Sequence, residues 1–230
     1  MVYNSKSNWE RLYLNSKSIA YPAEAVIRIF KGEFPNLDFT KPSSGQSVLD
    51  LGCGDGRHIP FFQSLGMEAT GIEISQSICE SVSDNLNSFG VNADICVGSC
   101  ADIPFENQYF DYLVAWNSCY YMSLDNLKFQ DHVAEMSRVL KPGGYLVLSV
   151  PKSDNFIFRS SVPHENKGYR VIANDPFNAR NGEVMRCFES QAELKREFSS
   201  DFENFSTADI DMDWFGMDYR WFVLVAQKKQ

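Results

Sequence analysis

Apolar positions along this chain change period repeatedly, and each change marks an element. Ser47 to Leu51 is a short apolar run that predicts a buried strand, and a helix follows from about Arg57 to Leu65. Glu68 to Ile74 repeats the pattern and leads into a helix opening near Ser75. Ile78, Val82, Leu86 and Phe89 recur there at helical spacing until Gly90 stops it. Asp94–Val97 and Phe110–Trp116 predict strands three and four. The next helix runs from about Asn126 to Leu140, with Phe129, Val133, Met136 and Leu140 as its apolar stripe. Pro142-Gly-Gly144 turns the chain into strand five, Tyr145 to Val150. Upstream, Ser7 to Glu10 reads as a capping box that opens a helix with Trp9 and Tyr13 on one face. A second helix begins at Pro22 and carries Val26, Ile29 and Phe30 at core spacing.

Strands alternating with helices through short connections predict a parallel sheet with right-handed crossovers. Residues 151–188 break that rhythm. They are rich in Pro, Asn and Ser, show little periodicity and are long for a loop, so they read as a cap insertion after strand five. A second capping box, Ser190-Gln-Ala-Glu193, starts a helix through Phe198, and two strands follow at Phe205–Met212 and Tyr219–Ala226. The expected organisation is one α/β domain over 1–230, doubly wound, with 1–46 as N-terminal helices or lid and 151–188 as the cap expected to hold the acceptor.

Composition narrows the function classes. The chain has 230 residues, 44% of them apolar, enough for one core with an insertion. A net charge of −9 argues against a nucleic-acid partner, which needs a basic face. No apolar run approaches the roughly 20 residues of a membrane-spanning helix, and the polar N-terminus lacks a signal-peptide core. The expected compartment is the cytoplasm. The six cysteines (53, 79, 96, 100, 119 and 187) show neither a CxxC pair nor zinc spacing. They read as small buried hydrophobes rather than a disulfide framework or metal site.

The chemistry concentrates where the first strand ends. Asp50 precedes a turn with glycines at 52, 54 and 56, where the backbone takes positive φ and a ligand can approach closely. Roughly 20 residues further on, strand two ends in Glu73, the offset at which a carboxylate grips ribose hydroxyls. The Gly-x-Gly-x-Gly spacing is shorter than that of a dinucleotide site. A carboxylate at Asp50 is also a poor neighbour for a pyrophosphate and a good one for an ammonium group. The bland alternatives are a turn-forming Asp50 and a solvated helix-start Glu73.

These residues resemble a class I S-adenosylmethionine-dependent methyltransferase. The similar elements are Val48 to Gly56, Gly71-Ile-Glu-Ile-Ser75, Ile103-Pro-Phe105 followed by Phe110-Asp111, and Arg138 to Gly144. Tyr21-Pro-Ala-Glu24 with Arg28, Gly56-Arg-His58 and Phe188-Glu-Ser190 resemble a bacterial, small-molecule-type branch. The resemblance implies a Rossmann-like, mostly parallel seven-stranded sheet with its last strand antiparallel. It implies S-adenosylmethionine as cofactor, with Asp50, Gly52 and Gly54 at the methionine amino group and Glu73 on both ribose hydroxyls. Ile74 would pack on adenine, Ser99 or Asp102 would read its amine, and Asn117 would lie beside the sulfonium. Ser99 stands where the family often has Asp.

Further candidates carry bland readings beside them. Trp116, Tyr120 and Tyr121 form an aromatic cluster suited to a sulfonium, or to plain packing. Trp9 and Tyr13 form a lid over the cofactor, or ordinary helix packing. Arg57 or Arg28 would meet the methionine carboxylate, or form surface salt bridges. The cap holds six basic residues (Lys152, Arg159, Lys167, Arg170, Arg180, Arg186) against four acidic (Asp154, Glu165, Asp175, Glu183), a balance that points to an anionic acceptor or to a solvated loop. His164 is the candidate proton acceptor, and Tyr121 is a second candidate catalytic residue. The expected partner is a small-molecule acceptor methylated on O or N by in-line displacement. A non-catalytic cofactor-binding subunit and an NAD-type oxidoreductase are the alternatives, and oligomeric state is left open.

Overall fold

The computed structural model describes residues 9–11, 13, 14, 20–122 and 128–230. Five strands, β1 (Ser47–Leu51), β2 (Glu68–Glu73), β3 (Asp94–Val97), β4 (Phe110–Ala115) and β5 (Leu140–Pro151), pair in parallel. Three short strands, β6 (Val162–Pro163), β7 (Tyr169–Val171) and β8 (Val184–Arg186), make a separate antiparallel sheet. A long hairpin of β9 (Phe202–Trp214) and β10 (Met217–Lys228) completes the main sheet, whose order is β3-β2-β1-β4-β5-β10-β9. β10 is antiparallel to both of its neighbours.

Strand residues alternate between two cores. Val48, Val114, Val147 and Val225 face one side, covered by α1 (Glu24–Lys31), α2 (Ile59–Ser64) and α3 (Gln76–Ser88). Leu49, Leu51, Leu113, Leu146 and Leu148 face the other, covered by α4 (Phe129–Val139) and α5 (Gln191–Phe198). A strand buried on both faces must be apolar throughout, which is why Val48 to Leu51 carries no alternation except at Asp50. After β3 the chain crosses to the far side of β1 to place β4. This reversal of strand order leaves a crevice beyond the C-terminal ends of β1 and β4.

Three expectations are corrected. The cap is not a plain loop: it carries β6–β8 and a 3-10 turn at Phe156–Phe158, each too short for a two-residue period to show. The helix expected from Pro22 begins at Glu24, because the Ala23 amide is extended and reaches the His58 Nε2 at 3.3 Å. At Ser190 the hydroxyl accepts from the Glu193 amide at 3.1 Å, but the Glu193 carboxylate turns to the Glu189 amide instead of closing a box. Ser7 lies outside the described residues. Trp9 and Tyr13 do share a face, stacked with centroids 5.8 Å apart.

Candidate active site

The glycine turn folds back over the end of β2, with the Gly52 and Cys53 amides donating to the Ile72 carbonyl at 2.9 and 3.0 Å. Gly52 and Gly54 have φ of +73° and +64°, where a Cβ is strained. Space forbids one as well: a Cβ on Gly52 would lie 2.5 Å from the Ser118 Cβ, and one on Gly54 2.8 Å from the Tyr13 hydroxyl.

Glu73 is buried beneath this turn. Its two oxygens accept the Gly54 amide at 2.7 Å and the Ile74 amide at 3.0 Å. Burial pushes its carboxyl up to about 7, against the pull of those two amides. Asp50 is also buried, and both its oxygens lie within 3.2–3.3 Å of the His58 Nδ1. Because the other ring nitrogen accepts from Ala23, the proton sits on Nδ1 and is donated to Asp50. Sequence reasoning gave His58 no role. Its place at the N-cap of α2, one helix start after Asp50, was the available signal.

Tyr13 covers the turn, its hydroxyl pushed upward by burial and by the Glu73 carboxylate. At the end of β3, Ser99 and Asp102 exchange backbone bonds of 3.0 and 3.2 Å, and the Ser99 Oγ accepts from the Ala101 amide. This turn is anchored from α4. The Ile103 amide donates to Glu135 at 2.8 Å, while Arg138 donates to the Ile103 and Phe105 carbonyls at 2.7 and 2.6 Å. Cys100 in the turn is disulfide-bonded to Cys119 after β4, which corrects the expectation that the cysteines form no disulfide. Their separation of 19 residues carries no sequence signal, because only the fold brings the two loops together.

Asn117 takes φ +56° just past β4. Its Oδ1 accepts from the Ser149 hydroxyl at 2.8 Å and its Nδ2 donates to the Tyr219 hydroxyl at 3.2 Å. Trp116 packs in the core beside α1–α3, as its bland reading held. Tyr120 and Tyr121 stack at 4.8 Å, and the Arg180 Nε donates to the Tyr121 hydroxyl at 3.2 Å. Trp9 stands edge-on to Tyr121 at 5.6 Å and lies under the Arg180 guanidinium. Trp9 from the N-terminal segment, Tyr121 from beyond β4 and Arg180 from the cap thus pack together. Glu183, from the cap, is buried and its carboxyl is pushed up to about 7 by burial, and its charge acts on Tyr121.

The remaining candidates divide between the turn and the periphery. The Arg57 Nε is 3.4 Å from Asp55, and its charge reaches the Tyr13 and Tyr219 hydroxyls. Arg28 forms an exposed pair with Glu24. His164 sits on the β6–β7 hairpin, where its Nδ1 accepts from the Asn166 amide and its ring faces Tyr169; its described contacts stay within that hairpin. Lys152, Arg159, Arg180 and Arg186 pair with acids, mostly of β9, β10 and α5, so the basic excess of the cap is largely met. Among the described residues no cluster of three His, Cys, Asp or Glu side chains is arranged for a metal ion, and no helix is long and apolar enough to cross a membrane.

The residues present fit a cationic nucleoside: a side-chain-free turn, a buried carboxylate at Asp50, and a second at Glu73 bonded to the turn's own Gly54 amide. The strand order, with its last strand antiparallel, is that of the Rossmann-like methyltransferase fold. Residues 48–144 match a family model described as a methyltransferase domain, and the likeness over that span is to the S-adenosylmethionine-dependent methyltransferases. The chain is 31% identical over 130 residues to a malonyl-[acyl-carrier protein] O-methyltransferase of Enterobacter lignolyticus, covering 56% of this chain and 46% of that one. It is 33% identical over 107 residues to a demethylmenaquinone methyltransferase of Staphylococcus aureus, covering 45% and 42%. The chain spans about half the length of the curated relatives it matches. A solved methyltransferase from Methanosarcina mazei aligns with a TM-score of 0.67 at 22% identity, covering 91% of this chain and 99% of that one, which shows the shared fold.

Proposed function

We propose that the protein transfers a methyl group from S-adenosylmethionine to the oxygen or nitrogen of a small-molecule acceptor held between the cap, the N-terminal helix and the loop after β4. The observation that carries this is the buried Glu73 bonded to the Gly54 amide, with Asp50 fixed below it by His58. The relatives named above act on small or carrier-bound acceptors by their names, which supports the choice of acceptor class.

The cofactor supplies an activated methyl on a sulfonium, so the protein's work is positional. Asp50 and the Gly52–Gly54 backbone hold the ammonium end. Glu73 accepts from the ribose hydroxyls, Ile74 packs on the adenine, and Ser99 or Asp102 reads its amine. Asn117, pinned by Ser149 and Tyr219, borders the sulfur, with Arg57 near the methionine carboxylate. Tyr13 and Trp9 close over the turn and exclude water. Orientation of this kind supplies up to about 7–11 kcal/mol in the best intramolecular cases. A hydroxyl acceptor also needs a proton acceptor. Glu183, acting beside Tyr121, suits that role near neutral pH better than His164, whose contacts keep to the hairpin.

Titration calorimetry with S-adenosylhomocysteine and with NADH tests the cradle. Binding of the first and not the second is expected; the reverse result sinks the proposal. Transfer of labelled methyl to a panel of small carboxylates, phenols and amines then tests the acceptor class.

A further inference from the structure

We propose that Cys100 and Cys119 form a redox-controlled clamp on the cofactor cradle: oxidised, they hold the adenine-side turn and the loop after β4 in binding register, and reduced, they release it. The inference rests on the cofactor assignment above and adds regulation to it.

The bond joins two segments that the strand order keeps apart. Cys100 lies in the turn closed by Ser99 and Asp102, at the end of β3, and Cys119 follows Asn117 at the end of β4. β2 and β1 stand between those strands, so the crosslink spans the mouth of the crevice. The Cys119 side is tied to the cradle itself. The neighbouring Ser118 hydroxyl donates to the Leu51 carbonyl at 2.6 Å, and its Cβ fills the space that a side chain on Gly52 would need. The Cys119 carbonyl is bonded to the ring of buried His132 at 3.0 Å. The adenine-side turn is held at Ile103 by Glu135 and Arg138, but Cys100 itself depends on the Ser99–Asp102 exchange and on the crosslink. Joining a rigid segment to a short turn removes freedom that ligand binding must otherwise remove, which is the general route from preorganisation to affinity.

Access decides how the bond forms. Cys119 is fully buried, whereas Cys100 is partly exposed, so Cys100 is the thiol that meets a reagent. With oxidised glutathione, the Cys100 thiolate attacks one sulfur and expels a glutathione thiolate, leaving a mixed disulfide. The Cys119 thiolate then displaces the second glutathione from Cys100. Two protein thiols are oxidised, one glutathione disulfide is reduced to two thiols, and the two protons pass to the leaving thiolates. The remaining cysteines, 53, 79, 96 and 187, are free.

The test uses the full chain poised with dithiothreitol or with oxidised glutathione, S-adenosylhomocysteine as the calorimetric probe, and alkylation under denaturing conditions with mass readout. Six alkylated cysteines are expected after reduction and four after oxidation. The oxidised protein is expected to bind about tenfold more tightly, equivalent to ~1.4 kcal/mol. Cys100→Ser should bind like reduced wild type under both conditions, and Cys100→Ala guards against an effect of the new hydroxyl. Six alkylated cysteines after oxidation, equal affinity in the two states, or weaker binding when oxidised would each overturn the clamp while leaving the cofactor assignment intact. Failure to bind the probe in either state would overturn both.

Discussion

Replacing Glu73 by glutamine removes a charge from the centre of the cradle while keeping its shape. In the wild type the carboxylate accepts the Gly54 and Ile74 amides, and burial lifts its carboxyl to about 7. Glutamine keeps one of these bonds and turns a donor toward the other amide. At least one hydrogen bond from a ribose hydroxyl to a charged acceptor is lost, so S-adenosylhomocysteine should bind about 10- to 150-fold more weakly. The wild type should show a matching pH dependence. Near pH 6 roughly a tenth of Glu73 is ionised, and near pH 8 most of it, so affinity should rise about tenfold over that span and then level off. Glu73→Gln should be flat. Folding stability moves the opposite way. A carboxyl raised in the folded state contributes stability that is present below about pH 4.3 and lost as pH rises through 7, by roughly 3 kcal/mol. At pH 8 the variant should therefore be at least as stable as wild type, which separates lost binding from lost fold. Calorimetry at pH 6, 7 and 8, with urea denaturation at pH 5 and 8, makes the comparison. A variant within about threefold of a pH-independent wild type would refute the reasoning.

Other perturbations test neighbouring parts. His58→Ala leaves the Asp50 carboxylate buried without its donor and should destabilise the fold by about 3–5 kcal/mol in urea denaturation; an unchanged midpoint would deny the pair its role. Gly54→Ala forces a Cβ into left-handed backbone beside the Tyr13 hydroxyl. It should cost about 1–2 kcal/mol of stability and weaken S-adenosylhomocysteine binding, both readable by thermal shift. At the β9–β10 turn, Phe215 is fully exposed at φ +52° and precedes Gly216 at +87°. Phe215→Asn suits two consecutive left-handed residues better and should raise stability by about 0.5–1 kcal/mol, measured as a rise in melting temperature. Arg138→Ala frees two carbonyls of the loop after β3, and hydrogen exchange at residues 103–105 should accelerate.

Much of the fold was legible because local patterns and global packing agree. β1 and β3 begin and end where the apolar runs do, and Val26, Ile29 and Phe30 face the core that their spacing predicts. The place of the glycine turn and of Glu73 was legible for a local reason: glycines after an apolar strand mark a left-handed bend, and the end of the next strand sets the carboxylate beside it. The small cap strands were not, since two or three residues cannot display a period. Where the basic groups of the cap find their acids was not legible either, because Lys152 and Arg159 pair with β9 and β10, more than 50 residues further along the chain.

Sequence alone determined the strand–helix alternation, the bend after β1 and the two carboxylates around it, because each follows from neighbouring residues. Tertiary structure alone decided that His58 would meet Asp50, that Cys100 would meet Cys119, and that Trp9, Tyr121 and Arg180 would pack together. Those partners come from different elements. Their meeting is set by strand order and by which buried polar groups must find a mate, and no local pattern encodes either.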